Sequence, residues 1–141
     1  MVGLLLFLAG CGTPDSGPWA EGPAPTGIPW TGSVYSMDWR SEPRQRPEMM
    51  DLTENTVLDD MKWHDWGRPR ATATGWVVDL ACLSGCPHET MPGYAVTVVL
   101  SGLVRREYAA YYSVAAVSPR HRPAPYWAED VSRVPLHVPK A

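Results

Sequence analysis

The chain has 141 residues, with 12 Lys and Arg against 15 Asp and Glu and a formal charge of -3. That length allows one domain at most. The acidic balance, with a pI near 5.7, argues against a nucleic-acid partner, which would show a basic face and a high pI.

Met1 to Gly10 read M-V-G-L-L-L-F-L-A-G, an apolar run followed at once by Cys11 and by the turn residues Gly12, Thr13, Pro14 and Asp15. The run is far shorter than the roughly 20 apolar residues of a membrane-spanning helix. It matches the apolar core of a signal peptide ending in small residues, although no Lys or Arg precedes it. Leu8-Ala9-Gly10-Cys11 resembles the lipobox of bacterial lipoproteins, in which the cysteine thiol takes a diacylglyceryl group and the chain is cut just before it. Residues 1–10 are therefore expected to be an export signal and Cys11 a lipid anchor on the outer face of the cell membrane. Two acyl chains hold a protein there, since each buried methylene contributes about 0.8 kcal/mol.

From Gly12 to about Pro47 the prolines Pro14, Pro18, Pro23, Pro25, Pro29, Pro43 and Pro47 stand close together. Proline lacks the donor that helices and sheets need, so residues 11–50 are expected to be a Pro/Gly-rich tether. Trp19, Trp30 and Trp39 are unusual in a spacer. They can pack back on the domain, lie at lipid headgroups or touch a partner. Pro119, Pro123 and Pro125 open a second irregular stretch, so residues 120–141 are expected to be a Pro-rich tail. Both terminal segments are expected to be disordered.

Residues 51–119 carry the expected domain. Thr56 to Leu58 and Met61 to Trp63 are short strand candidates split by Asp59 and Asp60. Thr72, Thr74, Trp76, Val78 and Leu80 alternate with Ala73, Gly75, Val77 and Asp79, the period of a strand. In Tyr94 to Ser101, the side chains of Tyr94, Val96, Val98 and Leu100 fall on one face, and β-branched and aromatic residues suit a pleated surface. A turn through Gly102 to Arg106 leads into Glu107 to Ser118, which is read as the second arm of a hairpin. Val104, Tyr108, Tyr111 and Ala115 also fit a helical stripe there. The fold expected is mainly β, a small antiparallel sandwich or barrel of four to five strands.

Over roughly Leu52 to Ser118 the chain resembles a group of small secreted proteins and lipoproteins of actinomycete bacteria. The resemblance is carried by Met61-Lys62-Trp63-His64-Asp65-Trp66-Gly67, by Ala71-Thr72-Ala73-Thr74-Gly75, by Cys82 and Cys86, and by Gly93 to Leu100. Pro87, His88 and Glu89 depart from the small residues of the pattern. What the resemblance implies is an exported β-domain and no known activity.

Export sets the redox setting, because disulfides persist outside the cytoplasm. Of three cysteines, reserving Cys11 for lipid leaves Cys82 and Cys86 as an even pair. Their disulfide would close a very short loop, for which the chain-entropy model gives about 2 kcal/mol.

Cys82, Cys86 and His88, with His64 as a fourth ligand, also contain the atoms of a tetrahedral zinc site. A C-x3-C followed by Pro-His lacks the second paired half of such a motif, and it lacks the C-x-x-C of a redox helix start. No metal or other cofactor is expected. Ser84, His88 and Glu89 lie in a disulfide-tight loop without an oxyanion hole. Asp59 with Asp60, and His64 with Asp65, are adjacent pairs that a strand would point to opposite faces. Nothing there recommends an enzyme.

Seven Trp and six Tyr against one Phe favour half-wet surfaces. Trp63, Trp66 and Trp76 are candidate binding aromatics for a cell-envelope polymer or a protein partner, the alternative being that they fill the core. The expectation is a lipid-anchored envelope component that binds or serves as a structural surface element. Its rival is a secreted metal-dependent or hydrolytic module built on His64, Cys82, Cys86 and His88.

Overall fold

A computed structural model describes residues 29–80 and 93–141. Among them the chain forms eight strands and no helix: β1 Ser33–Met37, β2 Pro43–Arg44, β3 Met50–Asp51, β4 Thr56–His64, β5 Ala71–Asp79, β6 Gly93–Arg105, β7 Ala109–Pro119 and β8 Val134–Pro135. They make one sheet in the order β2-β1-β7-β6-β5-β4-β3, with β8 added on β7. The Trp39 N–H, just past β1, donates to the carbonyl of Asp51 in β3 at 2.7 Å. That bond joins the two flanks, so the sheet is a nearly closed barrel, as the mainly β expectation anticipated. Closure removes open edges that would otherwise pair with other chains.

The interior follows from the period of two. Val96, Val98 and Leu100 from β6, Val77 from β5 and Leu58 from β4 are all fully buried, each contributing about 1.5–3 kcal/mol on leaving water. On β5 the inward set is Ala71, Ala73, Val77 and Asp79, while Thr72, Thr74, Trp76 and Val78 are the less buried set. Small residues suit this position because Ala71 is level with Leu100, and Ala73 with Val98 and Trp63. A small barrel interior is filled by such alternation of small and large side chains.

Strand β4 is continuous where two short strands were expected. Its register with β5 shifts between Asp59 and Lys62, and Asp60 takes a φ of 49°. The bulge changes phase, so that Leu58 and then Met61 both point inward. Gly75 makes room for it, since a Cβ there would collide with the Met61 sulfur and lie 2.7 Å from the Asp59 carbonyl. A second phase change occurs within the hairpin of β6 and β7. Gly102, placed in a turn by the sequence reading, lies inside β6 with a φ of 66° and accepts a 2.6 Å bond from the Ser113 hydroxyl. Beyond it β7 turns from Ala110 and Tyr112 to Ala115 and Val117 as its buried residues.

The domain is wider than 51–119. β1 and β2 fall in the expected tether and β3 straddles its end, with Val34 and Met50 in the core. Prolines flank β1 without interrupting it, and Pro43 sits in the exposed strand β2, where a missing donor costs little. β1 runs parallel to β7 from Ser33 opposite Ala109, the exception in an otherwise antiparallel sheet. The expected tail is also part of the fold. Trp127, Val131 and Val134 are buried in the core cluster, and β8 pairs with β7 through Val134 opposite Ala115. β7 has a flank that β1 covers only over its first residues, and apolar side chains beyond the prolines cover the rest.

Candidate functional site

The segment Trp63-His64-Asp65-Trp66-Gly67 forms the turn from β4 to β5. Asp65 at φ 56° and Gly67 at φ 92° reverse the chain. Trp63 meets Trp66 edge to face at 5.1 Å, and Trp66 meets Tyr112 likewise at 5.4 Å. Such pairs add about 0.5–1.5 kcal/mol each beyond burial. Both indole N–H groups are used: Trp63 Nε1 donates to the Pro47 carbonyl at 2.8 Å and Trp66 Nε1 to the Val34 carbonyl at 3.1 Å. The Tyr112 hydroxyl donates to the Arg68 carbonyl at 2.7 Å and accepts from the Gly67 N–H at 2.9 Å. Burial raises the Tyr112 pKa, with the Gly67 hydrogen bond opposing it. Two of the candidate binding aromatics therefore fasten the turn to β1 and to the segment before β3.

Trp76 is placed differently. It lies in β5 between Asp59 of β4 and Ala95 of β6, with 48% of its surface exposed. Among the described residues its N–H donates to nothing. The ring borders a shallow hollow of about 180 Å3 that also takes in Asp60, Lys62, Thr74 and Arg120. Lys62 Nζ donates to Asp60 Oδ1 at 2.5 Å, and that hydrogen bond is the first cause of its raised pKa. Arg120 is positioned by its backbone, whose N–H donates to the Ala95 carbonyl at 2.9 Å. An aromatic face rimmed by a carboxylate, a hydroxyl and two cations suits a ligand with both apolar faces and hydroxyl groups.

Of the other sequence candidates, His64 is exposed at the end of β4, opposite Thr72. Asp65 pairs with Arg68 at 3.6 Å on the surface, where such pairs contribute about 0–1 kcal/mol. Cys11, Cys82, Cys86 and His88, together with Trp19, Ser84 and Glu89, lie outside the described residues. Trp30 donates its N–H to the Ser33 carbonyl at 3.1 Å. Trp39 is 56% exposed.

Two buried carboxylates escaped the sequence reading. Asp38 accepts the N–H groups of Arg40 and Glu42, both at 2.9 Å, and that of Arg44 Nε at 3.3 Å, which ties the loop between β1 and β2. Asp79, at the end of β5, accepts from the Tyr126 hydroxyl. That bond is the largest cause of the raised Tyr126 pKa, followed by burial and the Asp79 charge. Asp38 followed by a polar, turn-prone stretch was a legible capping signal. Asp79 and Tyr126 are too far apart in the chain for any local pattern to join them.

These features define a small, nearly closed β-barrel with an internal aromatic fastening and, at Trp76, a half-exposed tryptophan beside a polar hollow. Comparison with models of protein families, with curated proteins and with solved structures finds no match to this chain.

Proposed function

We propose that the chain is an exported, lipid-anchored component of the cell envelope that acts by binding, not catalysis, and that the hollow around Trp76 receives an envelope polymer with sugar rings. The observation that carries the binding reading is the half-exposed Trp76 ring with no described partner for its N–H, on a sheet whose Trp63 and Trp66 N–H groups are both engaged. A sugar ring offers an apolar face to the indole, and its hydroxyls are matched by Asp60, Lys62, Thr74 and Arg120. The address is supported by the lipobox-like Leu8-Ala9-Gly10-Cys11 and by the resemblance to secreted actinomycete proteins.

Two measurements test the reading. Intact mass of the protein from a membrane fraction, with and without reduction before alkylation, is expected to lack residues 1–10 and to carry a diacylglyceryl group. It is also expected to alkylate Cys82 and Cys86 only after reduction. Co-sedimentation with insoluble envelope polysaccharide is expected for the parent chain and lost in Trp76→Ala. Equal sedimentation of both would overturn the Trp76 site, and an unlipidated full-length mass would overturn the anchor.

A further inference from the structure

The β6 to β7 hairpin turns between Arg105 and Ala109. Tyr108 stands at its apex with 84% of its surface exposed. It borders a hollow of about 540 Å3 with Arg105, Arg106, Tyr111 and Lys140. Arg106 is held in place by donating through Nε to the Pro139 carbonyl at 2.6 Å, which brings the last residues of the chain beside the hairpin. Glu107 bonds the Tyr108 hydroxyl and thereby raises its pKa. Glu107 is the one acidic side chain bordering that hollow, which Ala141 also lines, against the three cationic side chains of Arg105, Arg106 and Lys140. On a chain of net charge -3 this end is locally positive.

The described chain also begins at this end. β1 starts at Ser33 opposite Ala109, the first residue of β7 after the tip. Just before it, the Trp30 ring lies under the Arg105 guanidinium, 6.0 Å from its centre. The stretch from Cys11 to Pro29 reaches at most about 65 Å when fully extended. A lipid on Cys11 would therefore limit how far the barrel can move from the bilayer, with the tether joining it at the tip end.

We infer that the hairpin tip of Arg105, Arg106 and Tyr108, with Lys140, is a docking surface for an anionic lipid bilayer, seating the barrel tip-down beside its own anchor. The orientation rests on the lipid anchor proposed above. The chemistry is that of a membrane interface: arginines and lysine meet phosphate headgroups, and each basic residue near an anionic surface strengthens binding by about fivefold. Tyrosine is enriched at headgroup level because its ring is apolar and its tip polar. Docking in this way would leave the far end of the barrel facing away from the membrane.

The test uses the full chain with Cys11→Ser, so that no lipid can be attached, and vesicles of phosphatidylglycerol mixed with phosphatidylcholine against phosphatidylcholine alone. Residues 1–28 contain no Lys or Arg, so any preference for anionic vesicles originates in the domain. Tighter binding to the anionic vesicles is expected. Arg105→Gln and Lys140→Gln should each weaken it about fivefold, while Arg122→Gln, past the opposite end of β7, leaves it unchanged. Thermal unfolding of each variant checks that the fold is intact. Equal binding to both kinds of vesicle, or equal weakening by Arg122→Gln, would overturn the inference. Lipidation is read separately by the intact mass. An anchored protein without anionic preference sinks the tip alone, and an unlipidated protein that keeps the preference supports the tip and sinks the anchor.

Discussion

Trp66 lies in the turn before β5 and Trp76 within β5, yet one is part of the frame and the other is not. Trp66 packs between Trp63 and Tyr112 and gives its N–H to the Val34 carbonyl. Trp76 stands between Asp59 and Ala95 on β5, half exposed, with its N–H unengaged among the described residues. The difference lies in what each ring can reach. A turn that folds over the barrel end brings an indole to backbone carbonyls of distant strands, whereas an outward position on β5 leaves the ring half in solvent.

The comparison breaks most visibly if Trp66→Ala is harmless. Removing a large, partly buried aromatic that also satisfies a carbonyl is expected to cost about 3 kcal/mol or more, read as a fall in the urea midpoint at constant slope. Gly75→Ala should come next. Its methyl would press on Met61 and the Asp59 carbonyl at the β4 bulge, and overpacking of this kind costs about 1–3 kcal/mol. An unchanged midpoint would mean that the bulge does not depend on the glycine.

Tyr112→Phe keeps the ring and removes the hydroxyl between Arg68 and Gly67. A loss of about 1–2 kcal/mol is expected. The variant also sharpens the comparison through pH. The Tyr112 pKa is raised in the folded state, chiefly by burial, so the folded chain holds that proton more tightly than the unfolded one. Its contribution is fully present below the ordinary tyrosine value of about 10 and declines as the pH rises through the folded value. Stability of the parent should therefore fall at alkaline pH more steeply than that of Tyr112→Phe, and parallel curves would assign the alkaline loss to another group.

The smallest effect on stability is expected from Trp76→Ala, within about 0.5–1 kcal/mol for a surface position, together with loss of polysaccharide binding. A large destabilisation without loss of binding would reverse the roles given to Trp66 and Trp76.

Legibility in the sequence followed the regularity of each element. The buried face of β6 was readable because Val96, Val98 and Leu100 alternate without interruption. β4 looked like two pieces because the bulge at Asp59 and Asp60 shifts the period of two by one residue. β7 imitated a helical stripe for the same reason, since its inward set changes from Tyr112 to Ala115. β1 was hidden by surrounding prolines that lie outside its own five residues. At the candidate site, the sequence named Trp63, Trp66 and Trp76 without separating them, and it did not name Arg120 as part of that site, which Arg120 reaches through a backbone bond to Ala95.

By itself, the sequence determined that the domain is mainly β, that β5 and β6 are strands and that β6 leads into a hairpin, because alternating side chains are a local property of an extended chain. The tertiary structure alone decided which face of β5 turns inward, and it alone placed β1, β8 and Trp127 in the fold. These outcomes depend on what stands opposite. Ala71 and Ala73 face inward because Leu100, Val98 and Trp63 are level with them. The flanking segments fold because β7 has a side still to be covered, and neither fact is written in any short stretch of the chain.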